Sequence, residues 1–201
     1  MMVQTRRQLL RQAILLPLAA GLAAGTGRAV GLEIVTEPDC LSRESAEGFR
    51  SLEAAKHSRA ILLCGVSAMD TAHAWRLRRQ AAAGRWIVWE SSPFVRECQA
   101  RTLREVFGIS TGKPIALSPD RLYVQYRWPS AALTRSFCAA IPVTCSEKEA
   151  IALYGKTPVA MRRAIGRGGF IFLGSMLGPN LRAEDSQARP IGAGILLSGT
   201  A

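Results

Sequence analysis

Between residues 32 and 107 the apolar positions switch repeatedly between a strand pattern and a helix pattern. Leu32-Glu33-Ile34-Val35 alternates weakly and stops at Pro38, which predicts a short strand. From Ser42 to Ala55, Phe49, Leu52 and Ala55 share one helical face, with Ser42 as the predicted cap and Glu44 in the first turn. Ala60 to Cys64 is continuously apolar and ends at Gly65, the pattern of a strand buried on both faces. Asp70 and Thr71 offer caps for a helix through Ala83 that Gly84 stops. Trp86-Ile87-Val88-Trp89 predicts a second buried strand, broken at Glu90-Ser91-Ser92-Pro93, and a helix follows from Val95 to Phe107.

The pattern then changes. Leu122 to Trp128 places Val124, Tyr126 and Trp128 on one face of a strand. Ser146-Glu147-Lys148-Glu149 has the form of a helix capping box. Yet Ala150–Tyr154, Thr157–Ile165 and Phe170–Leu173 are separated by Gly155-Lys156 and by Gly166 to Gly169. Two hairpin signals outweigh one four-residue cap, so a strand meander is predicted. A closing helix follows from Glu184, interrupted at Pro190. Strand–helix alternation followed by a meander gives an α/β fold. Its sheet is expected to be mostly parallel and flanked by helices, with a C-terminal antiparallel strand meander.

Length and composition narrow the class. The chain has 201 residues, 48% hydrophobic and 20% charged, enough for one domain with a core and too apolar for disorder. The first 29 residues stand apart. They carry Arg6, Arg7, Arg11 and Arg28 with no acid, around the 12-residue apolar stretch Ala13–Ala24. That stretch is too short to span a bilayer and contains Pro17. Thr5-Arg6-Arg7-Gln8-Leu9-Leu10-Arg11 resembles a twin-arginine export motif, with cleavage expected after Ala29. The expected organisation is therefore a signal peptide over 1–29 and one domain over 30–201. The resemblance implies a bacterial periplasmic protein that meets the twin-arginine export machinery and keeps no permanent membrane anchor after cleavage.

Removing those four arginines takes the net charge from +11 to +7. The remaining basic residues are scattered and no nucleic-acid motif accompanies them, so no nucleic-acid partner is expected. All five cysteines follow residue 29, where an oxidising compartment would permit bridges. Cys138 and Cys145 are the nearest pair and the first bridge to test. Cys64, inside an apolar run, is expected to stay a buried thiol. There is no C-x-x-C and no cysteine–histidine spacing suited to zinc. No metal and no cofactor are expected.

The order of the strand at Ala60–Gly65, a helix and the strand from Ala83 to Val88 resembles the class I glutamine-amidotransferase-like superfamily. Pro158 to Arg163 and Gly166 to Gly174 are similar to its non-catalytic relatives, which include the trimerisation domains of some β-galactosidases. The likeness runs from Arg59 to Ser175. In catalytic members it implies a cysteine nucleophile on the sharp turn after a strand, completed by a later histidine and glutamate. Here that turn carries Glu90-Ser91-Ser92, and both histidines, His57 and His73, precede it. The triad is missing.

Two functions follow. The first is an exported, non-catalytic binding or assembly module for an unknown periplasmic ligand or protein partner. The alternative is a periplasmic hydrolase working at the carboxyl ends of the strands, where open parallel sheets bind ligands. Its catalytic candidates are Asp70, His73, Glu90 and Ser91, with His73 one turn into the helix that Asp70 starts. Set against it, Asp70 serves as a simple cap and Glu90 as a solvated or arginine-paired acid. Ser67, Ser92, Ser175 and Trp128 are the ligand-binding candidates on the same reasoning. Trp75, Trp86, Trp89, Tyr126 and Trp128 suit a sugar-stacking platform, but core packing explains most of them better. Gly166–Gly169 precedes a strand, so a hairpin rather than a phosphate loop is expected.

Overall fold

The computed structural model describes residues 31–37, 40–52, 59–66, 69–91, 97–118, 122–136 and 139–198. The apolar run β2 (Ala60–Cys64) lies between β1 (Glu33–Thr36) and β3 (Trp86–Glu90), parallel to both. On the far side of β3 lies β10 (Gly168–Leu173), again parallel. Every residue of β2, β3 and β10 is buried, as strands covered on both faces require.

From β10 the sheet continues antiparallel through β9 (Thr157–Ile165), β8 (Ala150–Tyr154), β5 (Tyr123–Tyr126) and β6 (Ala132–Arg135). The result is one eight-stranded mixed sheet, parallel on one side of β10 and antiparallel on the other. A separate two-stranded ribbon pairs β4 (Ser110–Thr111) with β7 (Val143–Thr144). The meander appears as predicted, with Gly155 and Gly166 in positive-φ turns that favour glycine. The capping-box residues do meet. Ser146 N and Oγ both donate to Glu149 Oε2, at 3.1 and 3.0 Å, yet the chain closes a turn and enters β8. Glu149 is drawn away from any helix by Arg163, whose Nε and Nη2 donate to its two oxygens at 2.6 and 3.2 Å.

Side chains alternate between two cores. Leu62, Val88 and Ile171 point to one face, covered by α1 (Cys40–Leu52), α4 (Gly178–Arg182) and α5 (Ala188–Leu197) through Phe49, Leu181, Ile191 and Ile195. Ile61, Ile87, Trp89 and Phe170 point to the other, covered by α2 (Thr71–Ala82) and α3 (Glu97–Phe107) through Ala74, Leu103 and Phe107.

Three helix expectations need correction. Ser42 is not a cap: α1 already begins at Cys40 and Ser42 is buried on its packed side. The closing helix begins at Ala188, after the separate short helix α4. Pro190 does not interrupt it, because it sits in the first turn, where a missing N–H removes no intrahelical bond.

The Glu149–Arg163 pair carries a pH prediction. The hydrogen bonds from Arg163, set against partial burial, hold the Glu149 carboxyl down to about 2. A depressed acid stabilises the fold above its unfolded pKa, and that contribution is lost as pH falls towards 2. Glu149→Gln is expected to cost about 1 kcal/mol at pH 7 and almost nothing at pH 2, read from urea midpoints at both values.

Candidate functional site

The carboxyl end of β3 gathers buried polar groups on the α1 face of the sheet. The side chain of Glu90 is fully buried, and its Oε1 accepts from Leu177 N at 2.6 Å and Gly178 N at 2.7 Å. It is neither solvated nor paired with an arginine, so that expectation is corrected. The reason is positional. Glu90 continues the alternation of Trp86 and Val88, whose side chains face the α1 core, and the β10–α4 connection lies across its path.

That connection can lie so close because α1 and α4 meet through glycines. A Cβ on Gly48 would overlap the backbone oxygen of Gly178, and one on Gly178 would overlap Ser45. Glu90 Oε2 and Ser45 Oγ are both buried, with no polar partner beyond each other. Burial pushes the Glu90 carboxyl up, against the lowering effect of Ser45 and of the Gly178 and Leu177 amides. Tyr126 is buried too, and its phenol is pushed up by burial and then by the charge of Glu90.

Asp70 and His73 stand on the other face. Asp70 caps α2, its Oδ1 accepting from His73 N at 2.9 Å, and its Oδ2 contacts His73 Nδ1. Partial burial works against the Asp70 carboxylate, but the hydrogen bonds from His73 outweigh it and hold the pKa below the usual value. The pair is open to solvent: 61% of the Asp70 side chain and 27% of His73 are exposed. Helix α2 packs against the Trp89 core, whereas the Glu90 carboxylate lies in the opposite layer. The structure therefore joins Asp70 to His73 and separates both from the Glu90 carboxylate. Ser91 is only 1% exposed, its amide bonded to Leu173 O at 2.8 Å.

Ser175 is buried, and its Oγ lies 2.8 Å from Ser136 Oγ. Trp128 is half-buried and carries the guanidinium of Arg162 over its ring. Ser67, Ser92 and Cys138 lie outside the described residues, as do His57 and the export motif with Arg6 and Arg7. Cys64 is a fully buried thiol and Cys145 a half-buried one. Of the aromatics, Trp86, Trp89 and Tyr126 are buried, while Trp75 is 43% exposed.

Sequence reasoning missed several members of this edge. Gln99 Nε2 donates to Val66 O and Thr102 Oγ1 to Met69 O at 3.3 Å, so α3 ties down the loop after β2. Asn180 Nδ2 donates to Arg135 O at 2.8 Å, joining α4 to the end of β6. Each is a polar residue on the packed, buried side of its helix, and nothing in the local sequence signals its partner. Among the described residues no group of three or more His, Cys, Asp or Glu comes together as metal ligands would. No helix among them is long and apolar enough to cross a membrane.

No protein-family model matches the chain, and no curated protein matches it. Solved structures do. A β-galactosidase from Bacillus circulans sp. alkalophilus is 14% identical over 80% of this chain and 31% of its own, with a TM-score of 0.55. An exo-β-1,4-mannosidase from Opitutaceae bacterium strain TAV5 is 12% identical over 82% of this chain and 35% of its own, with a TM-score of 0.58. A cytoplasmic protein from Salmonella typhimurium LT2 is 9% identical, covering 83% of this chain and 98% of that one, with a TM-score of 0.58. The likeness is one of fold. The chain spans about a third of the length of the two glycosidases. At these identities the likeness speaks for the fold and for nothing beyond it.

Proposed function

We propose that the chain is an exported, periplasmic, non-catalytic binding or assembly module built on an amidotransferase-like fold. One observation carries the reading: the side chain at the end of β3 is spent on structure. In a catalytic relative that turn would present a nucleophile to solvent. Here Glu90 points inward and holds the amides of Leu177 and Gly178, and Ser91 beside it is buried. A carboxylate so completely buried is out of a substrate's reach. The fold likeness to a minor part of two glycosidases agrees with a module that accompanies other domains, since it covers only about a third of each of those chains.

Purified protein is expected to release no ammonia from glutamine at any pH between 6 and 9 in a coupled dehydrogenase assay. Release that Ser91→Ala abolishes would overturn the reading. For export, Arg6→Lys with Arg7→Lys is expected to leave the protein in the cytoplasmic fraction. Unchanged periplasmic recovery would remove the twin-arginine route while leaving the module intact.

A hydrolase remains the second reading because of the Asp70–His73 contact. A carboxylate on Nδ1 is the arrangement that orients an imidazole base. Its nucleophile would have to be a hydroxyl brought to the free edge of that ring. Turnover of a nitrophenyl ester, lost equally in His73→Ala and Ser91→Ala, would favour it over the module.

A further inference from the structure

Two consecutive arginines on β9 are treated very differently by the fold. Arg163 faces the α3 side, where Glu149 takes it through two hydrogen bonds and its Nη1 donates to Gly108 O at 2.7 Å. Arg162 faces the opposite layer, and its guanidinium meets no carboxylate among the described residues. Its guanidinium carbon lies 4.5 Å from the centre of the Trp86 ring and 4.7 Å from the centre of the Trp128 ring. Among the described residues no acceptor takes the N–H groups of its guanidinium.

The clamp is built into the sheet. Trp86 opens β3 and its register partner on β10 is Gly169. A Cβ on Gly169 would run into the far edge of the Trp86 ring, so only glycine there lets the indole lie across the strand. Trp128, which follows β5, supplies the second ring and is half-buried. The glycine at 169 is thus explained by close approach, beyond the hairpin that the sequence suggested.

A guanidinium lying over two aromatic rings is held by their π faces, and that attraction does not use up its capacity to donate hydrogen bonds. A partly buried arginine ordinarily finds a carboxylate, since its charge is costly to leave unmatched. We propose that the Trp86–Arg162–Trp128 clamp is a binding site for a carboxylate-bearing ligand, received end-on by the guanidinium fork. One planar fork matches one planar carboxylate in a bidentate pair. The clamp and the Glu90 edge lie at opposite ends of β3, roughly 13 Å apart along the strand. The inference is independent of export and of any chemistry at Ser91.

The four tryptophans give four indole N–H signals, two from the clamp and two, Trp75 and Trp89, as internal controls. The test follows them by ¹⁵N NMR while the full chain is titrated with sodium glucuronate, N-acetylglycine, methyl glucoside, sodium phosphate or sodium chloride. Saturable shifts of the Trp86 and Trp128 signals are expected with one or both carboxylates and not with methyl glucoside or chloride. A response to glucuronate alone identifies a sugar acid as the source, and a response to N-acetylglycine alone a peptide-type carboxylate. Arg162→Lys keeps the charge but loses the fork, so affinity should fall about tenfold. Arg162→Met should abolish binding while the Trp89 signal stays in place. Absence of saturation, binding that survives in Arg162→Met, or a response to phosphate alone would overturn the proposal. Should Arg162→Met fail to fold, unchanged affinity in Arg162→Lys would overturn it equally.

Discussion

Glu90→Ala is expected to lower the unfolding free energy by about 2–4 kcal/mol, because it strands two buried amides, those of Leu177 and Gly178. For a chain of this size that is roughly 5–15 °C in Tm. Glu90→Gln behaves differently. Its carbonyl still accepts from both amides, and its NH2 takes the place of Oε2 beside Ser45 Oγ, to which it can donate. The glutamine variant should match or exceed the native protein at pH 8. The pH dependence fixes the sign. Burial raises the folded-state pKa of Glu90 above its value in the unfolded chain. Its stabilising contribution is therefore complete below about 4.3, the unfolded value, and is lost as pH rises through the folded value. The difference between native and Glu90→Gln unfolding free energies, measured from pH 4 to 9, should shift steadily in favour of glutamine. A flat difference would mean that the carboxyl is not desolvated.

The second large effect is expected at Gly48. At an exposed helical site glycine to alanine gains about 1 kcal/mol from helix propensity alone. Here the added methyl would overlap the Gly178 carbonyl oxygen, and backbone cannot swing away as a flexible side chain would. Overpacking of this kind costs about 1–3 kcal/mol and exceeds the propensity gain. Gly48→Ala is therefore expected to destabilise, reversing the usual sign. It also pushes α4 away from Glu90, so the double variant Gly48→Ala/Glu90→Ala should lose less than the two single losses together. Simple additivity in urea midpoints would show that the α1–α4 contact and the Glu90 hydrogen bonds are independent.

Much of the architecture was legible locally. Continuous apolar runs at 60–64 and 86–89 can bury both faces only inside a covered sheet, and they form β2 and β3 there. Two glycine turns specified the β8–β9–β10 meander, since a positive φ at Gly155 and Gly166 is a local requirement. The Asp70 cap was equally local, a side chain bonding an amide three residues away. Where two local signals competed, at Ser146–Glu149, the capping contact formed but a pairing partner far along the chain decided the outcome. Arg162 N donates to Glu149 O at 2.8 Å, and Arg163 takes the carboxylate.

The site shows the limit of such reading. The sequence by itself determined which residues end the strands, so Glu90, Ser91 and Ser175 were named as an edge group. Periodicity could not say which layer each side chain enters or what stands opposite. The tertiary structure decided that α4, about 88 positions further on, meets Glu90, because Gly48 and Gly178 let two helices approach to backbone contact. It likewise brought Trp86, Trp128 and Arg162, from three different strands or strand ends, together as one cation–π cluster. Strand periodicity and turn chemistry act over a few residues and are written in the sequence. Desolvation and ring stacking depend on which distant segments fill the same space, and only the folded chain fixes that.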